Sequence, residues 1–128
     1  MGLIIGVGVD VVSISRVKRA IEKCGARFLK RVFTERELEY CFKSGYSYER
    51  LAARFAAKEA VFKAIGYPSR SRLGWRGVEI EAVDQEVRVV MSEPLLSLVR
   101  EKGARSILIS LSHDRTSDVA IAVAVLLA

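Results

Sequence analysis

Residues 54–66, RFAAKEAVFKAIG, set four alanines, two phenylalanines, Val61 and Ile65 around Lys58, Glu59 and Lys63. At about 100° per residue, Phe55, Glu59 and Phe62 fall on one stripe of a helix. Ala53, Ala56, Ala57, Ala60 and Ala64 cover the opposite face. A helix this apolar is buried, so Lys58, Glu59 and Lys63 need explaining. A carboxylate held among phenyl rings must take a proton or find a cation, because burying an unpaired charge costs several kcal/mol. Lys63, one turn on, is one candidate and a metal ion is the other. The plainest alternative is an ordinary i, i+4 Glu-Lys pair on a solvated face, worth about 0.3–0.5 kcal/mol.

Working outward, Ser47 caps this long helix, and Gly66 and Pro68 close it. Tyr67 to Gly77 reads as a loop. Its Ser69, Arg70, Ser71 and Arg72 suit a phosphate, or simply an exposed turn. Upstream, Leu3 to Val12 alternates as a strand with Ile5, Val7, Val9 and Val11 on one side and Gly6, Gly8 and Asp10 on the other, the glycines leaving space beside Asp10. Ser13 or Ser15 caps a helix to about Cys24, with Val17, Ala20, Ile21 and Cys24 as its apolar stripe and Gly25 as its stop. Thr34 and Glu37 form a capping box for a helix through about Lys43. Downstream, Val78 to Ala82 and Glu86 to Met91 read as strands about a turn at Asp84 and Gln85. A short helix follows, with Ser92 as cap and Gly103 after its end. Ser106 to Ser112 and Val119 to Leu127 look like a hairpin, and the last strand is apolar on both faces, as befits a central strand or a subunit interface. The expectation is one α+β domain over residues 1–128, with a mainly antiparallel sheet packed against one long and several short helices.

The chain has 128 residues, half of them hydrophobic, enough for one real core. The longest apolar run, residues 119–128, is far short of a membrane span, and no secretory signal pattern is present. A soluble, cytoplasmic protein is expected. Cys24 and Cys41 lack metal spacing and read as core thiols, and with His113 as the sole histidine a zinc site is disfavoured. Residues 16–31 carry Arg16, Lys18, Arg19, Lys23, Arg27, Lys30 and Arg31 against Glu22 alone, which accounts for the whole net charge of +6. This face implies an acidic partner: nucleic acid, an anionic membrane or an acidic protein, unless it is merely solvated.

Asp10 is the second charge out of place, a carboxylate near the end of an apolar strand. If it converges with Glu59, a divalent cation keeps both ionised, and oxygen ligands favour magnesium, which recruits waters and phosphate oxygens. Otherwise Asp10 caps the following helix or pairs with a basic side chain. Gly6-Val7-Gly8 lacks the third glycine of a dinucleotide fingerprint. His113, beside Ser112 and Asp114, can donate to a phosphate, move a proton or finish a turn.

Four segments in order, GVGVDVVSISRV from Gly6, FTERE from Phe33, RFAAKEAVFKAIG from Arg54 and SLSHD from Ser110, resemble the holo-acyl-carrier-protein synthase family over nearly the whole chain. The resemblance implies a magnesium-dependent phosphopantetheinyl transferase of fatty acid biosynthesis. Such an enzyme moves the 4'-phosphopantetheine arm of coenzyme A to a carrier serine and releases adenosine 3',5'-bisphosphate. It also implies a homotrimer with sites at the subunit clefts. By motif, Asp10 and Glu59 resemble the metal ligands and Lys63 the residue at the diphosphate, these three being the catalytic set. Lys63, Arg54, Gly66, Ser112 and His113 resemble coenzyme contacts, and Arg16 and Arg27 the docking surface for an acidic carrier. Neither nucleic acid nor membrane is then the expected partner. Two places depart from the pattern: Gly66-Tyr67-Pro68 stands where a Gly-Thr-Gly loop is common, and Glu86-Val87-Arg88 where Gly-x-Pro is. The other reading is a non-catalytic basic module that binds nucleic acid or phosphate-rich ligands, although its basic residues have little aromatic interleaving.

Overall fold

A computed structural model describes residues 3–43, 45, 47–67 and 74–128. The elements in chain order are β1 (Ile4–Ser13), α1 (Ile14–Cys24), α2 (Ala26–Val32), α3 (Glu35–Cys41), α4 (Ser47–Ile65), β2 (Val78–Val83), β3 (Glu86–Met91), α5 (Leu95–Glu101), β4 (Ser106–Asp114) and β5 (Val119–Leu127). A single 3-10 turn, Trp75–Gly77, leads into β2. The strands form two antiparallel sheets, β1-β5-β4 and the hairpin β2-β3. This is the α+β architecture expected, with the last strand central and the helix from residue 47 as its axis. The candidate phosphate loop of Ser69, Arg70, Ser71 and Arg72 lies outside the described residues.

Helix α4 lies across β1 and β5 and separates two cores. Its C-terminal half packs with β5, the hairpin and α5, and its N-terminal half with α1, α3 and Trp75. Burial on both flanks explains why so few of its positions reach solvent. Under it lies an unusually small-residue surface: Gly6 and Gly8 on β1, and Ala120, Ala122 and Ala124 on β5, all on one sheet face by register. The glycines do not leave open space beside Asp10, as their spacing suggested. The backbone of α4 fills it. A Cβ on Gly8 would stand 1.9 Å from the Ala60 carbonyl oxygen, and one on Gly6 2.1 Å from that of Ala64. Gly8→Ala must therefore push α4 off the sheet. We expect a loss at or beyond the upper end of the usual overpacking cost of about 1–3 kcal/mol by urea unfolding. Gly45→Ala, with nothing within 4 Å, is the control, and equal stabilities of the two variants would refute the close approach.

Other local expectations divide. Ser13 caps α1 by accepting from the Arg16 N–H, and both halves of the Thr34-Glu37 capping box are present. The Asp118 carboxylate accepts from the Ser13 hydroxyl and from the hydroxyl and N–H of Ser15, at 2.6–2.8 Å. Those bonds, from Ser15 above all, hold its carboxyl below the usual range. The Asp118 clamp thus ties the start of α1 to the β4–β5 turn. Cys41 is a core thiol, pushed up to about 11 chiefly by burial. Cys24 is not: it is exposed, because the apolar stripe of α1 runs past the edge of the core in its last turn. Helix α2 had no counterpart in the sequence reading, and α5 has Pro94 rather than Ser92 at its cap.

Candidate active site

Phe55, Glu59 and Lys63 form the open stripe of α4, with Phe55 and Glu59 half-buried and Lys63 exposed. Phe62, assigned to that stripe by spacing, is instead buried, since its 60° offset from Glu59 turns the ring beneath Trp75. Lys63 Nζ lies 3.0 Å from Asp10 Oδ1 and donates to the Val9 carbonyl at 3.1 Å. The partner that the sequence left open for Asp10 is therefore Lys63. More than half of the Lys63 side chain is open to solvent, against 14% for Asp10. The second carboxylate oxygen, Asp10 Oδ2, is buried and accepts no hydrogen bond. A buried carboxylate oxygen without a partner is a costly group. It is also a free hard donor.

The donor set suits a small hard cation. Magnesium needs one or two carboxylates and takes its remaining ligands from water and phosphate. Asp10 and Glu59 come from adjoining elements, β1 and α4, packed backbone to backbone through the glycines. No cluster of three or more acidic, histidine or cysteine side chains occurs among the described residues, so a magnesium ion held here would need waters and phosphate oxygens as its remaining ligands.

The other expected contacts lie elsewhere. Ser112 and His113 are exposed on β4, the opposite edge of the sheet from β1. The rows run Asp10–Ala122–Leu111 and Val12–Ala120–His113. Two strand spacings and two residues along the strand thus part the backbone of His113 from that of Asp10 by roughly 12 Å. Gly66, at φ +85° after α4, is exposed, and a side chain there would meet Lys102 Nζ at 3.3 Å. Lys102 donates to the Ile65 carbonyl at 2.5 Å and so caps the end of α4. Arg54, expected as a coenzyme contact, sits 140° round the helix from Glu59. It is buried, stacks on Tyr40 with its guanidinium carbon 4.4 Å from the ring centre, and leaves Nε without a partner.

One arrangement had no precedent in the sequence reading. Lys58, adjacent to Glu59, is fully buried and bridges 2.7 Å to Glu37 of α3. Its ammonium also donates to the carbonyls of Trp75 and Val78. Glu37 completes its shell with the N–H groups of Thr34 and Ile80, each at 2.8 Å. Burial pushes the Lys58 ammonium below its usual value, and Glu37 opposes that shift. A lone lysine among alanines, facing a capping-box glutamate, was the available signal.

The basic face also takes shape. Arg16, Lys18, Arg19, Lys23, Arg27, Lys30 and Arg31 are all exposed along α1 and α2. Arg16 borders an apolar recess of about 280 Å³ between β1, α1, α2 and Phe55. Phe55 is one turn from Glu59, so the recess opens beside the carboxylates.

Residues 6–124 match the model of the 4'-phosphopantetheinyl transferase superfamily. The chain is 42% identical over 119 residues to a holo-[acyl-carrier-protein] synthase of Chlamydia trachomatis, covering 93% of this chain and 98% of that relative. Its fold is similar to the crystal structure of holo-[acyl-carrier-protein] synthase from Neisseria meningitidis, with TM-score 0.87 and 31% identity over 97% of this chain and 98% of that one. The Helicobacter pylori holo-[acyl-carrier-protein] synthase, solved in complex with coenzyme A, is similar at TM-score 0.80 and 25% identity, over 94% of this chain and 98% of that one.

Proposed function

The chain belongs to the 4'-phosphopantetheinyl transferase superfamily, and from that premise we propose that it transfers the 4'-phosphopantetheine arm of coenzyme A to a serine of an acidic acyl carrier protein, releasing adenosine 3',5'-bisphosphate. The observation that carries the site assignment is the buried, unpartnered Oδ2 of Asp10 beside Lys63. Asp10 and Glu59 would hold magnesium. When bound, that ion neutralises the diphosphate and polarises the bond that breaks.

The chain's own groups supply the rest. Lys63, anchored at rest on Asp10 and the Val9 carbonyl, has solvent on its other side and can follow a phosphate oxygen as charge develops there. Glu59, half-buried at the mouth, takes the proton of the carrier serine. The serine oxygen attacks the phosphorus that bears pantetheine, and the bond to the departing nucleotide phosphate breaks. Carrier docking falls to the basic face, with Arg16 and Arg27 meeting acidic side chains and the recess beside Phe55 accepting an apolar one.

The functional unit in this proposal is a homotrimer. Val7, Val9 and Val11 on β1, Ile121 and Val123 on β5, and Leu108 on β4 leave an apolar sheet face open to water, with Val7, Val11 and Leu108 each at least 58% exposed. A patch of this kind marks an association surface. A neighbouring copy would also bring its His113 and Ser112 to the coenzyme. No helix among the described residues is long and apolar enough to cross a membrane.

Incubation with coenzyme A, magnesium and an apo carrier tests the reaction directly: the carrier should gain the mass of one phosphopantetheine arm. No gain with any of several acidic carriers would reject the proposal in favour of a binding module. Charge reversal at Arg16 and Arg27 should raise KM for the carrier by about tenfold with little change for coenzyme A, an effect that shrinks as salt rises. An equal rise for both substrates would remove the docking assignment.

A further inference from the structure

A cleft of about 710 Å³ lies between the two sheets rather than at the carboxylates. It is bounded by β3, by Leu96, Val99 and Arg100 of α5, and by residues 104–109 leading into and along β4. None of Asp10, Glu59, Lys63 and His113 borders it. The cleft arises from topology. β3 and β4 are each the outer strand of a separate sheet, so they share no ladder.

The lining is two-sided in chemistry. Val89, Met91, Ile107 and Ile109 are partly buried against the core and, with buried Val99, make an apolar floor. Arg88, Arg100 and Arg105 border the cleft and are exposed, with Glu86 the one acid among the lining residues. Arg88 has only a long 3.9 Å contact with Glu81. Arg100 and Arg105 form no ion pair among the described residues. An apolar trough with three guanidinium groups at its margin matches a ligand with a hydrocarbon body and an anionic head. The volume is in the range of small-molecule sites, and guanidinium forks suit a carboxylate.

We propose that this cleft binds a long-chain acyl carboxylate, its chain laid along β3 and β4 and its head held by Arg100 and Arg105. Such a ligand bridges the two sheets and stabilises the fold by linkage, since the unfolded chain has no cleft. The site is independent of phosphopantetheine transfer and stands or falls separately from it.

The test uses laurate below its micelle concentration, with dodecyltrimethylammonium as the same tail with a cationic head and acetate as the head alone. Laurate should bind saturably by calorimetry, raise Tm and shift the methyl resonances of Val89 and Ile107. The cationic amphiphile should bind at least about tenfold more weakly, the worth of one charge-assisted hydrogen bond, and acetate should not bind measurably. Arg100→Glu combined with Arg105→Glu should weaken laurate by about tenfold or more while leaving transfer without lipid unchanged. Equal binding of the two amphiphiles, or methyl shifts that follow protein concentration instead of laurate, would overturn the proposal, the second by making the cleft a contact between copies of the chain.

Discussion

Asp10→Ala and Glu59→Gln are each expected to lower transfer by at least about 100-fold, the scale on which metal-site and charge-stabilising groups act, while the protein stays folded. The asymmetry between activity and stability is the informative part. Asp10 contributes one exposed-side ion pair with Lys63, worth about 0–1 kcal/mol, but it also carries a buried oxygen without a partner, whose removal relieves a cost. Without magnesium, Asp10→Ala should therefore unfold within about 1 kcal/mol of the parent chain. Magnesium should raise the Tm of the parent by linkage and leave both variants unmoved. Parent-like transfer in either variant, or an equal magnesium shift in all three proteins, would reject the assignment of these carboxylates to a metal.

Lys58→Met is expected to have the opposite signature, a loss of about 3–5 kcal/mol in urea unfolding, because it strands the buried Glu37 carboxylate. The hydrogen bonds lost to the Trp75 and Val78 carbonyls add to that cost. Adding Glu37→Gln should recover part of the loss, since a neutral amide needs no counter-charge. Recovery stays incomplete because Thr34 and Ile80 donate to different carboxylate oxygens, and in the amide one of those positions becomes an NH2 that itself donates. A Lys58→Met variant destabilised by less than about 1 kcal/mol would show that the ammonium is not the counter-charge of Glu37.

The element pattern was readable because local and global preferences agree. Period-two runs gave β3 and β5 their observed ends, and Thr34 with Glu37 announced α3. What escaped reading depended on packing. Helix α2 begins immediately after Gly25, which at φ +57° ends α1 and looks locally like the start of a loop. Gly6 and Gly8 were visible as glycines, but whether a missing side chain leaves a void or admits another backbone is decided by what packs above it. The phase of α4 was read from its aromatic residues, yet a helix buried on two flanks has no single apolar stripe, so Phe62 was placed with Glu59. The pairing of Asp10 with Lys63 joins residues 53 positions apart. Motif resemblance could place both at one phosphate, but not show them in contact. The partner of Lys58 escaped reading because Glu37 lies on α3, beyond any helical spacing.

The floor beneath α4 has one more consequence. Gly6, Gly8, Ala120, Ala122 and Ala124 have no side-chain rotamers, so ordering them costs no side-chain entropy on folding. They also offer no alternative packing once folded. A seam of larger residues could loosen by rotamer exchange, but here the distance from strand to helix is a contact between main chains, which has no softer setting. The gap between the backbones that bear Asp10 and Glu59 is thus a fixed length rather than an average over conformers. Adjustment in the site is left to side chains, above all the long, solvent-facing arm of Lys63.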